Sequence, residues 1–165
     1  MKTGELTNAF KGYLQEIART TAKEAAEIIT DELQERGPYW TGQFSEAWVA
    51  RPGDVVIPNN QGPELTKREQ FQGWEDGSLP FNRRKTDVPI PEPQTDKRGA
   101  RITIGNQTTC RDMAMDLMPG RTPKPGNTAP QDWFIGYVQG GGMRYSLRKA
   151  VDRAARDPKI RNYEG

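Results

Sequence analysis

Residues 33–48 read Leu33-Gln34-Glu35-Arg36-Gly37-Pro38-Tyr39-Trp40-Thr41-Gly42-Gln43-Phe44-Ser45-Glu46-Ala47-Trp48, and the fold turns on what lies either side of Gly37-Pro38. Upstream, Leu6, Phe10, Leu14, Ile17, Thr21, Ala25, Ile28 and Ile29 recur mostly at steps of three and four, with charges between them. That pattern is the apolar stripe of an amphipathic helix, predicted from about Glu5 to Glu35. Glycine in a left-handed cap and a proline that cannot continue the ladder end it at Gly37-Pro38. Gly12 lies inside the helix and costs about 1 kcal/mol relative to alanine. A helix of about 30 residues runs about 45 Å. A domain this small cannot cover that length, so part of the stripe is expected to face another chain.

Downstream, Thr41-Gly42 is a turn signal, and the residues after it lead toward a strand. Val55-Val56-Ile57, between Asp54 and Pro58, is a second predicted strand, closed by Asn59-Asn60 and Gly62-Pro63. From 61 to 99 the chain is polar, rich in proline and glycine, and without periodicity, which predicts an extended loop insertion. Pro89, Pro91 and Pro93 make its last part extended and polyproline-like, while Phe71 and Trp74 are expected to dock somewhere. Ile102-Thr103-Ile104-Gly105-Asn106 alternates as a strand does, and 112–118 suits a short helix or strand. Residues 119–130 form a second loop. Trp133-Phe134-Ile135-Gly136-Tyr137-Val138 reads as a buried strand, Gly140-Gly141-Gly142 as a joint. A last helix from Met143 to Arg156 is expected to bury Leu147, Ala150, Val151 and Ala154. The predicted class is α+β: a long N-terminal and a C-terminal helix packed on a small, mainly antiparallel sheet, with long loop insertions, in one domain over 1–165.

Composition narrows the chemistry. A third of the 165 residues is hydrophobic, with 17 glycines and 13 prolines, which predicts a modest core with long arms, expected to complete its burial against neighbouring subunits. The single cysteine, Cys110, excludes an internal disulfide, and the chain has no histidine. Ser-His-Asp and Cys-His catalysis and His-ligated metal sites are thereby excluded in their usual forms. No stretch approaches the roughly 18 apolar residues of a membrane span, and no apolar segment follows Met1 to Glu5 as a secretory signal requires. A reducing cytoplasm is the expected place of synthesis.

Net charge is +2, but residues 1–36 carry five basic and seven acidic groups, and residues 140–165 seven basic and three acidic. That asymmetry suits head-to-tail contacts or a phosphate backbone, although a solvated helix face accounts for it equally. Glu75-Asp76 sits in a loop without a second acidic cluster, and Cys110 has no histidine base, so solvation and packing are the plainer roles. The clusters Arg83-Arg84-Lys85 and Lys97, Arg98 and Arg101 suit point contacts with DNA phosphates or simply loop solubility. Gly140-Gly141-Gly142 matches neither phosphate-loop nor dinucleotide spacing. Trp40, Trp48, Trp74 and Trp133 are expected anchors of core or interface.

The order of particular residues adds a resemblance. Tyr39-Trp40-Thr41-Gly42-Gln43-Phe44-Ser45-Glu46-Ala47-Trp48, following a long amphipathic helix, resembles the "hydrophobic–x–Thr–Gly–x–Leu/Phe–x–x–Ser/Ala–Trp" box of the tailed-phage tail-completion and head–tail joining family. The strand 102–106 ending in Asn106, the stretch Ala114-Met115-Asp116-Leu117-Met118-Pro119-Gly120 and the closing helix follow in the family's order. The sequence departs from the pattern in having Met118-Pro119 where a glutamate should precede Gly120, and in the insertion 61–99.

The resemblance implies a structural virion protein of the neck and tail, assembled in the host cytoplasm, with no catalytic residues, cofactor or metal. Its expected partners are other copies in a ring, most often six, head–tail adaptor or connector proteins and tail tube or sheath proteins, with a passing contact to genomic DNA. Thr41, Gly42, Phe44, Trp48 and Asn106 would hold the fold. The two loops would meet neighbours through Phe71, Trp74, Arg83, Arg84, Lys85, Arg121 and Lys124. The competing readings are a small nucleic-acid-binding module using the basic C-terminal helix, and, more remotely, a metal-dependent nuclease.

Overall fold

The computed structural model describes residues 3–37, 43–59, 86–109 and 133–163. Helix α1 spans Thr3–Arg36 and a single turn, α2, spans Gln43–Glu46. Three strands follow: β1, Trp48–Pro52; β2, Gln94–Asp96; and β3, Gly99–Asn106. Helices α3 (Trp133–Gln139), α4 (Gly142–Ala154) and α5 (Pro158–Arg161) complete the chain. The sheet order is β1-β3-β2, with both pairings antiparallel. The architecture is α+β, as predicted.

Helix α1 lies across β3 and is flanked by α4. Its stripe divides between two clusters. Leu33 joins Phe44, Trp48, Trp133 and Tyr137, with Ile29, Val88, Ile104, Phe134 and Met143 around them. Ala25 and Ile28 pack on Ala150 of α4. The helix ends at Gly37, whose N–H donates to the Leu33 carbonyl at 3.0 Å. Gly37 does not take the left-handed conformation predicted for it, which among the described residues is confined to Gly53, Gly99 and Gly141. Its need is room: a β-carbon there would stand 2.8 Å from the Leu33 carbonyl oxygen and 3.0 Å from the Phe44 ring.

Four expectations are corrected. Residues 133–138 form helix α3, not a strand. Trp133 and Tyr137, one turn apart, are buried, while Ile135 and Val138 face out; a short apolar run does not distinguish the two periods. Residues 55–57 form no strand: the Val55 N–H donates to the Thr103 hydroxyl at 3.3 Å, a side chain in place of a ladder partner. Val56 is 94% exposed, and only Ile57 is buried, filling the space left by Gly105. The region 61–99 is not loop throughout, since 94–96 is strand β2 and 99 opens β3. Finally, α4 buries Ser146, Ala150 and Ala154, whereas Leu147 and Val151 are exposed. Small residues one turn apart let α4 approach α1 closely, and the Tyr137 hydroxyl meets the Ser146 hydroxyl at 2.9 Å. Burial pushes the Tyr137 phenol above its ordinary value, against the opposing pull of that hydrogen bond.

Candidate functional site

Phe44, Trp48 and Asn106 come together around one buried hydrogen-bond lock. Asn106 has no exposed surface. It pairs across the sheet with Trp48, and its side-chain N–H donates to the Phe44 carbonyl at 2.7 Å. Its carbonyl oxygen accepts from the Thr108 N–H at 3.0 Å and the Thr108 hydroxyl at 2.7 Å. The Phe44 ring meets Trp48 edge-on at 5.5 Å and Trp133 at 6.0 Å. One asparagine thus fixes the α2 turn, the end of β3 and the start of the next segment. Thr41 and Gly42 lie outside the described residues.

The lock marks one pole of the body, where every internal described segment begins or ends. Gly37 abuts Phe44. Ile57, two residues from Asn59, covers Gly105, and Gln107 donates to the Ala47 carbonyl. Trp133 meets Phe44 edge-on. Thr86 is held by Gln34: the amide donates to the Thr86 carbonyl at 3.0 Å and accepts from its N–H at 3.2 Å. A single side chain thus imitates a paired strand residue, and nothing in hydrophobic periodicity signals it.

From Thr86 the chain runs as a strap along α1. Val88 packs on the core and Pro93 is buried. Glu92 is clamped by Lys23 at 2.6 Å and Arg19 at 2.7 Å. Hydrogen bonds from Lys23 and then Arg19 hold the Glu92 carboxyl below its ordinary value, and the bond from Glu92 raises Arg19. A carboxyl with a lowered folded pKa stabilises the strap above its unfolded pKa, and that stabilisation is lost as pH falls through the folded value. Protection of the Val88 and Ile90 amides, measured against the intrinsic exchange rate at each pH, is therefore expected to fall on acidification below the usual carboxylate range, and Glu92→Gln to remove that dependence.

The opposite pole differs. Leu6, Phe10 and Leu14 are all roughly half-exposed, Leu6 and Phe10 on the part of α1 beyond the contact of Tyr13 with Tyr163 at 5.5 Å and Leu14 beside it. The stripe read from the sequence therefore runs past the end of the body. A second surface, missed by sequence reasoning, lies on α4, where Leu147 and Val151 stand out beside the exposed Arg144 and Arg148. The regular spacing of Ser146, Ala150 and Ala154 was the available signal, since it turns Leu147 and Val151 away from α1.

Of the basic clusters, Arg101 pairs with Asp96, whose carboxylate also accepts from the Arg98 N–H at 2.7 Å. These groups brace the β2–β3 turn. Phe71, Trp74, Arg83, Arg84, Lys85, Arg121 and Lys124 lie outside the described residues, as do Trp40, Glu75, Asp76, Cys110 and the stretch 112–130. Gly141, at the joint of α3 and α4, is left-handed with φ 99°. Among the described residues no cluster of His, Cys, Asp or Glu is arranged to hold a metal, and no helix is long and apolar enough to cross a membrane. No protein-family model matches the chain, and no curated protein or solved structure is significantly similar to it.

Proposed function

We propose that this chain is a structural virion protein of a tailed phage, a ring-forming neck subunit that completes the tail and joins it to the head connector. The observation that carries the reading is the meeting of Phe44, Trp48 and Asn106. These are three of the five positions singled out by the resemblance of the 39–48 box, and they form one buried lock. Such a lock holds a fold and leaves function to surfaces. The exposed stripe of α1 supports the same reading, because half-exposed leucine and phenylalanine side chains one turn apart are better covered by another chain than by water. The described residues that border 60–85 and 110–132 lie at a single pole, so in a ring both stretches would depart from the same side, where adaptor or tail proteins would dock.

Size-exclusion chromatography with light scattering tests the proposal. Discrete closed oligomers are the expected result, and a chain that stays monomeric at every concentration overturns the ring. A second test removes residues 61–85, bridged by a short glycine-serine linker. Thr86 to Pro93 must be kept, since the strap is part of the body. The deletant should retain the wild-type melting transition yet fail to join heads to tails, and infectious particles at normal yield would count decisively against the loop's role.

The nucleic-acid reading keeps one specific observation in its favour, the run of exposed Arg144, Arg148, Lys149 and Arg156 on α4 and just beyond it. A monomer binding DNA with a steep salt dependence would support it.

A further inference from the structure

We infer that neighbouring copies meet head to tail, α4 of one subunit lying on α1 of the next, with Arg144 and Arg148 against Glu27 and Asp31. This contact rests on the ring reading above and names the surfaces that would build it.

The α4 side is a patch of mixed character. Arg144, Leu147, Arg148 and Val151 follow one another at i, i+3, i+4 and i+7, which places them together on one face. Leu147 is 44% and Val151 54% exposed. The inward face of α4 is already filled by Ser146, Ala150 and Ala154, so packing within the subunit does not use this pair. An aliphatic pair flanked by arginines has the composition of a protein interface, in which arginine is enriched beside apolar side chains. A phosphate backbone would engage the arginines but leave Leu147 and Val151 in water, and Asp152 and Asp157 interrupt the positive charge.

The α1 side is its electrostatic complement. Helix α1 carries seven carboxylates against four cations, and residues 142–161 carry seven cations against two carboxylates. Glu27 and Asp31 are both exposed and one turn apart. That separation, about 6 Å along the axis, equals the one between Arg144 and Arg148, so two helices laid side by side bring both pairs into register at once.

Charge disfavours self-pairing at these four residues. An α4–α4 contact opposes arginine to arginine, and an α1–α1 contact at this point opposes carboxylate to carboxylate. Only the unlike pairing is attractive, and an unlike pairing between identical chains is heterologous, the kind that closes into rings.

The experiment compares the wild-type chain, R144E/R148E, E27K/D31K, and an equimolar mixture of the two variants, by size exclusion with light scattering, with circular dichroism to verify folding. All four positions are exposed, and both variants should keep the wild-type helix content. Each variant alone should show at least a tenfold smaller oligomer fraction, because like charges then face each other. Mixing should restore oligomers of the wild-type mass, since every contact is again between unlike charges. The quadruple variant carrying all four reversals should likewise assemble by itself.

Wild-type oligomers unaffected by either reversal, or a mixture that does not recover, overturn this interface while leaving the ring reading intact. A monomeric wild type overturns both. Loss of binding to a DNA oligonucleotide in R144E/R148E, with the oligomer unchanged, overturns the interface in favour of a polyanion site.

Discussion

Replacing Asn106 by alanine should cost the fold about 3–5 kcal/mol, since each buried group left without its hydrogen bond costs about 1–3 kcal/mol. The Phe44 carbonyl and the Thr108 N–H both lose their partner, in a place with no exposed surface through which water could replace it. Urea denaturation would show the loss as a lower midpoint with an unchanged slope. Asn106→Asp is the sharper variant. Ionised, it presents an oxygen to the Phe44 carbonyl where the amide presented a donor, and burial adds a desolvation penalty. Protonated, it can donate again. Its folded pKa is therefore expected above its unfolded one, so what stability it retains is present below the unfolded pKa and is lost as pH rises through the folded value. The variant should be more stable in mild acid than at neutrality. A loss independent of pH would show that this asparagine acts by shape alone.

The second large effect is expected at Trp48→Ala, again about 3–5 kcal/mol, as for buried aromatics truncated in other cores. The indole is 3% exposed and packs edge-on against Phe44, so truncation leaves a cavity where α1, β1 and α3 converge. A total stability of about 5–15 kcal/mol is usual for a small domain, which puts this variant near the unfolding threshold at growth temperature. Trp48→Phe should be far milder. The indole N–H is buried and has no partner among the described residues, so phenylalanine removes volume and a donor together. Because Trp48 and Asn106 are cross-strand partners, the double variant should lose less than the two single losses combined. Thermal melts of the four proteins measure that coupling, and strict additivity would contradict a shared lock.

The sequence was legible where one physical signal dominated. The α1 stripe, its end at Gly37 and the alternation of β3 all depend on burial periodicity, which is local. The readings that failed did so where the decision was made by tertiary neighbours. Trp133 to Val138 is too short and too apolar to show its period, and it is the placement of Trp133 and Tyr137 on the Leu33 cluster that makes it helical. Val55 to Ile57 has the composition of a strand, but the Thr103 hydroxyl takes the Val55 N–H and Ile57 turns in over Gly105. Leu147 and Val151 were assigned to the core because large apolar residues usually lie there, whereas close helix approach favours Ser146 and the alanines. Of the candidate site, Trp48 is legible as an aromatic anchor and Asn106 as the end of an alternating strand, but that they meet Phe44 follows only from the resemblance. Gln34 and Glu92 were not visible at all, since a polar side chain holding a distant backbone leaves no pattern.

The gathering of all internal segment ends at one pole has a consequence for how such a protein can change over time. The ends of 60–85 are held independently, by Ile57 on one side and by Gln34 on the other. Lengthening a segment between fixed ends is thermodynamically cheap, about 0.6 kcal/mol for each doubling. Recognition of a new partner and retention of the old fold can therefore be explored separately, so that one body can carry many different tips.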